Sequence, residues 1–211
     1  PVTGKVRPTG NVRGVLQVPS VGPIEVSIVD AANPLVFVRF EDLGLTGDEP
    51  LDKIDGDPKM LARIESVRAH AGVLAGLGKT PEEMTASVPS VPKLAFVARP
   101  RSYGTLNGAQ VEAADIDLYA RIMSMGKVHR AYALTGAICT TLAALIPGTL
   151  VNDVVSDRSK DTKVVRLGHP SGISALAGKV AKRDGEWVAE TVSATRTARR
   201  LMEGFVFVPS V

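Results

Sequence analysis

The sequence predicts an α+β fold in which a mostly antiparallel set of strands wraps around one helix buried on all sides. Strand-like segments, alternating or β-branched, recur from residue 24 almost to the end and are punctuated by glycine and proline. Between them lies "TGAICTTLAALIPG" (135–148), in which every residue from Gly136 to Ile146 is apolar or a threonine. A helix apolar all round has no face suited to bulk water, so it belongs inside. The clearest amphipathic segment, 57–78, supplies an outer helix.

Taken in order, residues 1–23 are rich in proline and glycine and read as a connector leading into a domain that runs from 24 to 211. "IEVSIVD" (24–30) and "LVFVRF" (35–40) are two strands joined tightly through "AANP". In the helix at 57–78, Asp57 is the N-cap and Pro58 the first helical residue. Met60, Leu61, Ile64, Val67, Ala71 and Leu74 recur at helical spacing, and Gly76 and Gly78 stop it. "KLAFVARP" and "DIDLYARIMS" are again strands, the second with Ile116, Leu118, Ala120 and Ile122 on one face. The apolar helix follows, starting at Thr135 or Gly136. "TKVVRL" (162–167), "ISALAG", "EWVAETVSA" and "RLMEGFVFVP" return to strand-like patterns.

Composition excludes several function classes. With 45% hydrophobic and 22% charged residues, the 211-residue chain has the make-up of an ordinary globular protein with ample capacity for a core. Net charge is only +3, the basic residues are scattered, and aromatics reach 4%, which leaves no stacking surface for nucleic acid. One cysteine rules out an intrachain disulfide and a cysteine-based zinc site, and His70, His129 and His169 have no metal-ligand spacing. The longest apolar run, 137–146, is too short to span a bilayer, so no membrane partner is expected and a reducing cytoplasmic setting is the default. The chain opens on Pro1 rather than Met, which suggests a processed or partly covered protein.

Three short stretches stand out: "DAANP" (30–34), "GHPSG" (168–172) and "RTARRLMEGFVFVP" (196–209). With "VSIVDAANPLVFV", "EDLGLTG" and "DLYARIMSMGKVHRAYALTGAICTTLAALIPGT" (117–149), they resemble the PrpF-type proteins, the 2-methylaconitate cis-trans isomerases and their methylitaconate and oxalomesaconate isomerase relatives. The resemblance implies a diaminopimelate-epimerase-like fold: two similar halves, each a sheet around a central helix, with the active site in the cleft between them. This chain resembles the second half, so its expected partners are the other half of the same protein and a small unsaturated carboxylate. The last strand then crosses back to the first half, and the whole is a monomer or homodimer. The epimerases place a catalytic cysteine two residues before a Thr-Gly pair, a position held here by Ala133, ahead of Thr135-Gly136. In the isomerase branch the proton-transfer lysine and cysteine belong to the first half, so no catalytic residue is assigned in this chain.

Such isomerases move or rotate a double bond by removing and returning a carbon-bound proton, which requires no redox cofactor or metal. They need a tuned acid and base, with donors aimed at the developing oxyanion. The expected carboxylate contacts here are the helix start at Thr135, Gly136 and Ala137, where unpaired N–H groups and a partial positive charge meet. Asn33, the turn residues His169, Ser171 and Gly172, and Arg196 complete the candidate set. Each has a plainer reading as well: an Asx-type turn for Asn33, a hydrogen-bonded core histidine for His169. Cys139, one turn into the helix among Ile138, Leu142 and Ala143, reads as a small core hydrophobe rather than a nucleophile. Two other functions stay open: a non-catalytic carboxylate-binding module assisting an aconitase-like dehydratase, and an amino-acid epimerase, against which Ala133 speaks.

Overall fold

A computed structural model of the chain describes residues 1–195 and 198–209. Its centre is a nine-stranded sheet in the spatial order β1-β2-β3-β4-β7-β9-β10-β11, with β8 paired to β7. The strands are β1 (Gly14–Val18), β2 (Gly22–Ala31), β3 (Asn33–Arg39), β4 (Lys93–Ala98), β7 (Leu118–Ser124), β8 (Lys127–Val128), β9 (Val164–His169), β10 (Gly172–Arg183) and β11 (Glu186–Ala194). β5 (Tyr103–Gly104) and β6 (Gln110–Val111) form a separate small hairpin. Most neighbours are antiparallel, while β3/β4 and β7/β9 run parallel.

The two faces of the sheet carry two cores. Ile24, Val26, Ile28, Val36, Val38, Leu94 and Phe96 pack on one side with helix α2 (Pro58–Leu74). The alternating residues Val29, Ala31, Leu35, Phe37, Ala95, Val97, Ala120 and Ile122 face the apolar helix α4 (Leu134–Leu145). This is the period-two alternation of a sheet covered on both faces. Leu167 and Leu176, from β9 and β10, and Trp187 and Val192 of β11 also join the α4 side, so the sheet curls around that helix. The sequence placed such a helix inside, and nine of its twelve residues are buried.

Close approach is built in by glycine. A Cβ on Gly178 of β10 would lie 3.0 Å from Thr141 Cγ2 and 3.1 Å from Leu145 Cδ1 of α4. The hydroxyls inside are mostly used up locally: Thr140 Oγ1 donates to the Gly136 carbonyl at 2.9 Å and meets the Tyr132 hydroxyl. Cys139 is fully buried, its thiol donates to the Val29 carbonyl, and desolvation pushes its pKa up to about 12. A thiol so placed is inert filler.

Several expectations need correction. Ile116 precedes β7 and belongs to the α2-side core, not to the face of Leu118, Ala120 and Ile122. The amphipathic helix is capped by Asp57 as expected, but it ends at Leu74, which is 49% exposed, and left-handed Gly76 closes it. Four short helices, α1 (Leu51–Asp55), α3 (Pro81–Ser87), α5 (Leu150–Val154) and α6 (Asp157–Thr162), occupy what read as connections. Residues 201–209 form no strand: Phe205 and Phe207 are 98% and 97% exposed, since no neighbouring strand pairs with them among the described residues.

The Gly178 contact generates a stability test. Gly178→Val forces β10 away from α4 and should lower unfolding stability by about 1–3 kcal/mol, read by urea titration. A shift of a few tenths of that would mean the helix is loosely held.

Candidate functional site

Strand direction gathers the candidate residues at one end of the sheet. β3 and β4 are parallel, with Leu35 opposite Lys93, so Asn33 at the start of β3 sits at the same end as Lys93. β4 and β7 are antiparallel, which brings the end of β7, Ser124, to that end too. β7 and β9 are parallel, so the β9–β10 turn, His169 to Gly172, also points this way. Helix α4 begins here, after the segment 129–133.

The start of α4 is open. Ala133 is its N-cap residue, and among the described residues no side chain caps the first turn, which leaves the N–H groups of Thr135 and Gly136 for another partner, while the Ala137 N–H, expected to be free, donates to the Ala133 carbonyl at 2.8 Å. Leu134 is 39% exposed and Thr135 is exposed, whereas Gly136 and Ala137 are buried. Gly136 is required by packing, since a Cβ there would lie 2.7 Å from Ile122 Cδ1 and 3.3 Å from the Tyr132 ring. Asn33 is half-buried and follows Ala32, whose left-handed φ of 71° makes the β2–β3 reversal.

Two residues that the sequence did not single out join this place. Lys93 has the parity of Ala95 and Val97, and Ser124 that of Ala120 and Ile122, so both side chains stand on the α4 face. Lys93 Nζ donates to Ser124 Oγ at 3.1 Å, and half-burial pulls its pKa below the ordinary 10.5. A cation kept partly out of water at a strand end is the kind of group that binds or reacts. Its signal in the sequence was the single charge opening the apolar run "KLAFVA".

The β9–β10 turn is held from both sides. Ser171 Oγ donates to the Arg130 carbonyl at 2.5 Å, and its N–H donates to His169 Nδ1 at 3.2 Å. Ser171 therefore reaches an anion only when its hydroxyl swings off Arg130. His169 is buried; its Nδ1 accepts the Ser171 N–H, so Nε2 carries the proton toward Ser174 Oγ at 3.0 Å. Gly172 opens β10 with φ 131°, a conformation suited to glycine, and its carbonyl accepts the Tyr103 hydroxyl at 2.7 Å. Behind Tyr103 runs a chain of rings, Tyr119, Phe40 and Phe96, with successive centroids 4.7, 5.7 and 5.3 Å apart. Leu106 N–H adds a bond to the Pro170 carbonyl at 2.8 Å. Arg196, the remaining candidate, lies outside the described residues.

No group of three or more His, Cys, Asp or Glu side chains is gathered to hold a metal ion, and no helix is long and apolar enough to cross a membrane, among the described residues.

Burial, reinforced by the neighbouring His129, pushes His169 from the ordinary 6.5 down to about 4. The native state then binds fewer protons than the unfolded chain between these values. Stability held above pH 6.5 is lost as the pH falls through 4, by about 3 kcal/mol in all. His169→Asn should flatten that acid limb in urea titrations run from pH 7 to 4; an unchanged limb would place the loss elsewhere.

Comparison with known proteins bears on these features. The chain matches the PrpF protein family over residues 1–209. It is 44% identical over 206 residues to the 2-methyl-aconitate isomerase of Shewanella oneidensis, covering 98% of this chain and 51% of that protein. Identity to the 3-methylitaconate isomerase of Eubacterium barkeri is also 44%, over 207 residues, covering 98% and 53%. A crystal structure of methylitaconate-delta-isomerase superposes with a TM-score of 0.81 at 40% identity, over 92% of this chain and 50% of that one. The chain thus spans about half the length of the curated relatives it matches. Sheet and buried helix form the diaminopimelate-epimerase-like arrangement that the sequence motifs implied. By family match, by identity and by superposition, the chain belongs to the PrpF family.

Proposed function

We propose that this chain is the carboxylate-binding part of a cofactor-independent isomerase of small unsaturated di- or tricarboxylic acids. The observation that carries the reading is the convergence of the uncapped α4 N-terminus with the half-buried Lys93–Ser124 pair at one sheet end. Removing a carbon-bound proton beside a conjugated carboxylate spreads negative charge onto its oxygens. Fixed donors that await this charge lower the barrier, because they need no reorganisation when it forms. The first-turn N–H groups at Thr135 and Gly136 and the Lys93 ammonium are such donors, whereas the Ala137 N–H is already given to the Ala133 carbonyl at 2.8 Å. Asn33 and the Ser171–Gly172 turn flank them. His169 acts here by shaping the turn, since its ring nitrogens are both occupied.

The proton-transfer groups come from a complementary segment facing this sheet end. Ala133 carries no acid or base, which weighs against the two-base epimerase reading, and the buried Cys139 is out of reach. The names of the relatives, isomerases of 2-methylaconitate and 3-methylitaconate, support this reaction class over an accessory module. The exposed apolar stretch 205–208 supports a strand that completes itself on that other segment, within one protein or in a homodimer.

The decisive test uses the protein at its natural full length with 2-methylaconitate and 3-methylitaconate. Lys93→Met keeps the aliphatic stem and should cut kcat/KM at least about tenfold, the worth of one charge-assisted hydrogen bond, with an unchanged melting temperature. Ser171→Ala should cost less, because its hydroxyl is first spent on Arg130. Wild-type kinetics for Lys93→Met would sink the site.

A further inference from the structure

We propose that the cavity between α1 and the β7–β8 turn is the subsite for the substrate carboxylate on the carbon next to the one that bears the clamped carboxylate, with His129 and Lys127 as its donors. The inference rests on the reading of the Lys93–Ser124 pair as the first anion clamp. The cavity holds about 720 Å³ and is lined by Asp52, Asp55, Ser124, Lys127, His129 and Arg130, among others. Ser124 belongs to both places: its hydroxyl takes the Lys93 bond, and it lines the cavity. Ser124 thus links the two places, and a short acid with carboxylates on neighbouring carbons would set one on each side of it.

The charges of the cavity sort themselves by partner. Asp52 is paired with Arg130 at 2.5 Å, and Asp55 Oδ1 accepts the Val128 N–H at 2.8 Å. Both acids are thus engaged in holding the cavity wall. Ala131 N–H donates to His129 Nδ1 at 3.1 Å, which makes that nitrogen the acceptor and leaves the ring proton on Nε2. Lys127, exposed at the start of β8, adds an ammonium. Neutral His129 as a donor and mobile Lys127 as a charge suit an end of the ligand that must be recognised yet allowed to move. That is the requirement when a double bond turns while the opposite carboxylate stays fixed. The Ser171 bond to the Arg130 carbonyl joins this wall to the β9–β10 turn.

The test compares two saturated probes, tricarballylate and glutarate, which share a chain and differ by one carboxylate. Their affinities for the protein at its natural full length are read by calorimetry, beside melting temperatures. Lys127→Met with His129→Phe should weaken tricarballylate about tenfold or more and leave glutarate within twofold. Equal weakening of both probes, or of neither, overturns the subsite. Lys93→Met is the control for the underlying reading: it should weaken both probes. If Lys93→Met changes neither probe, the first clamp fails; if it weakens both while the double variant stays wild-type, only the subsite fails.

Discussion

A helix without a polar face dictates the rest of this structure. From Gly136 to Ile146 the chain offers water nothing but two threonine hydroxyls: that of Thr140 is turned back onto the Gly136 carbonyl, and that of Thr141 is buried without a partner among the described residues. Burying such a helix needs more apolar area than one flat sheet face presents. The strands on the β9 side therefore curl until β10 and β11 meet the flank that β2 and β3 leave uncovered. Gly178 permits the nearest of these contacts and Gly136 another. With the curled sheet around it, α4 exposes little beyond its first turn. The first end becomes a place where backbone dipoles meet solvent or ligand.

Much of this was legible because it follows from local chemistry. The alternation along β2 and β4, the Asp57–Pro58 helix start and the all-round apolarity of α4 each state their own burial. The short helices were less visible, yet not for lack of signal. Thr80-Pro81-Glu82-Glu83 is a capping sequence, and its Thr80 hydroxyl does accept the Glu83 N–H. Single turns like these draw their stability from packing, as Met84 of α3 does by filling the space beside Gly72. Periodicity over six residues carries too little to separate them from loops. Ile116 was misplaced for a related reason, because it follows directly on a short 3-10 turn, Ala113–Asp115, and stands outside β7, where strand parity does not reach.

The candidate site was legible in its turns and silent in its strands. "GHPSG" and the Thr-Gly pair announce unusual backbone, and both stand where the sheet end and helix start meet. Lys93 and Ser124 carry no motif: 31 residues separate them, and only a strand pairing joins them, with Ala95 opposite Ile122. Such a pair is a product of register, and register depends on the whole sheet. Ser171 shows the opposite case. The sequence marked it as a donor, while the fold has already given its proton to a neighbouring carbonyl.

Ala133 at the head of α4 has a consequence for how the protein can be stabilised. Serine or aspartate at that position is the ordinary way to cap a helix and contributes about 1 kcal/mol. Here the cap would occupy the N–H groups that the proposed carboxylate site uses, and an aspartate would also repel the anion. The same residue that leaves α4 imperfect as a helix keeps its start receptive. Searches for thermostable variants that score stability alone will find this position attractive, and under the proposed reading will trade ligand affinity for melting temperature there.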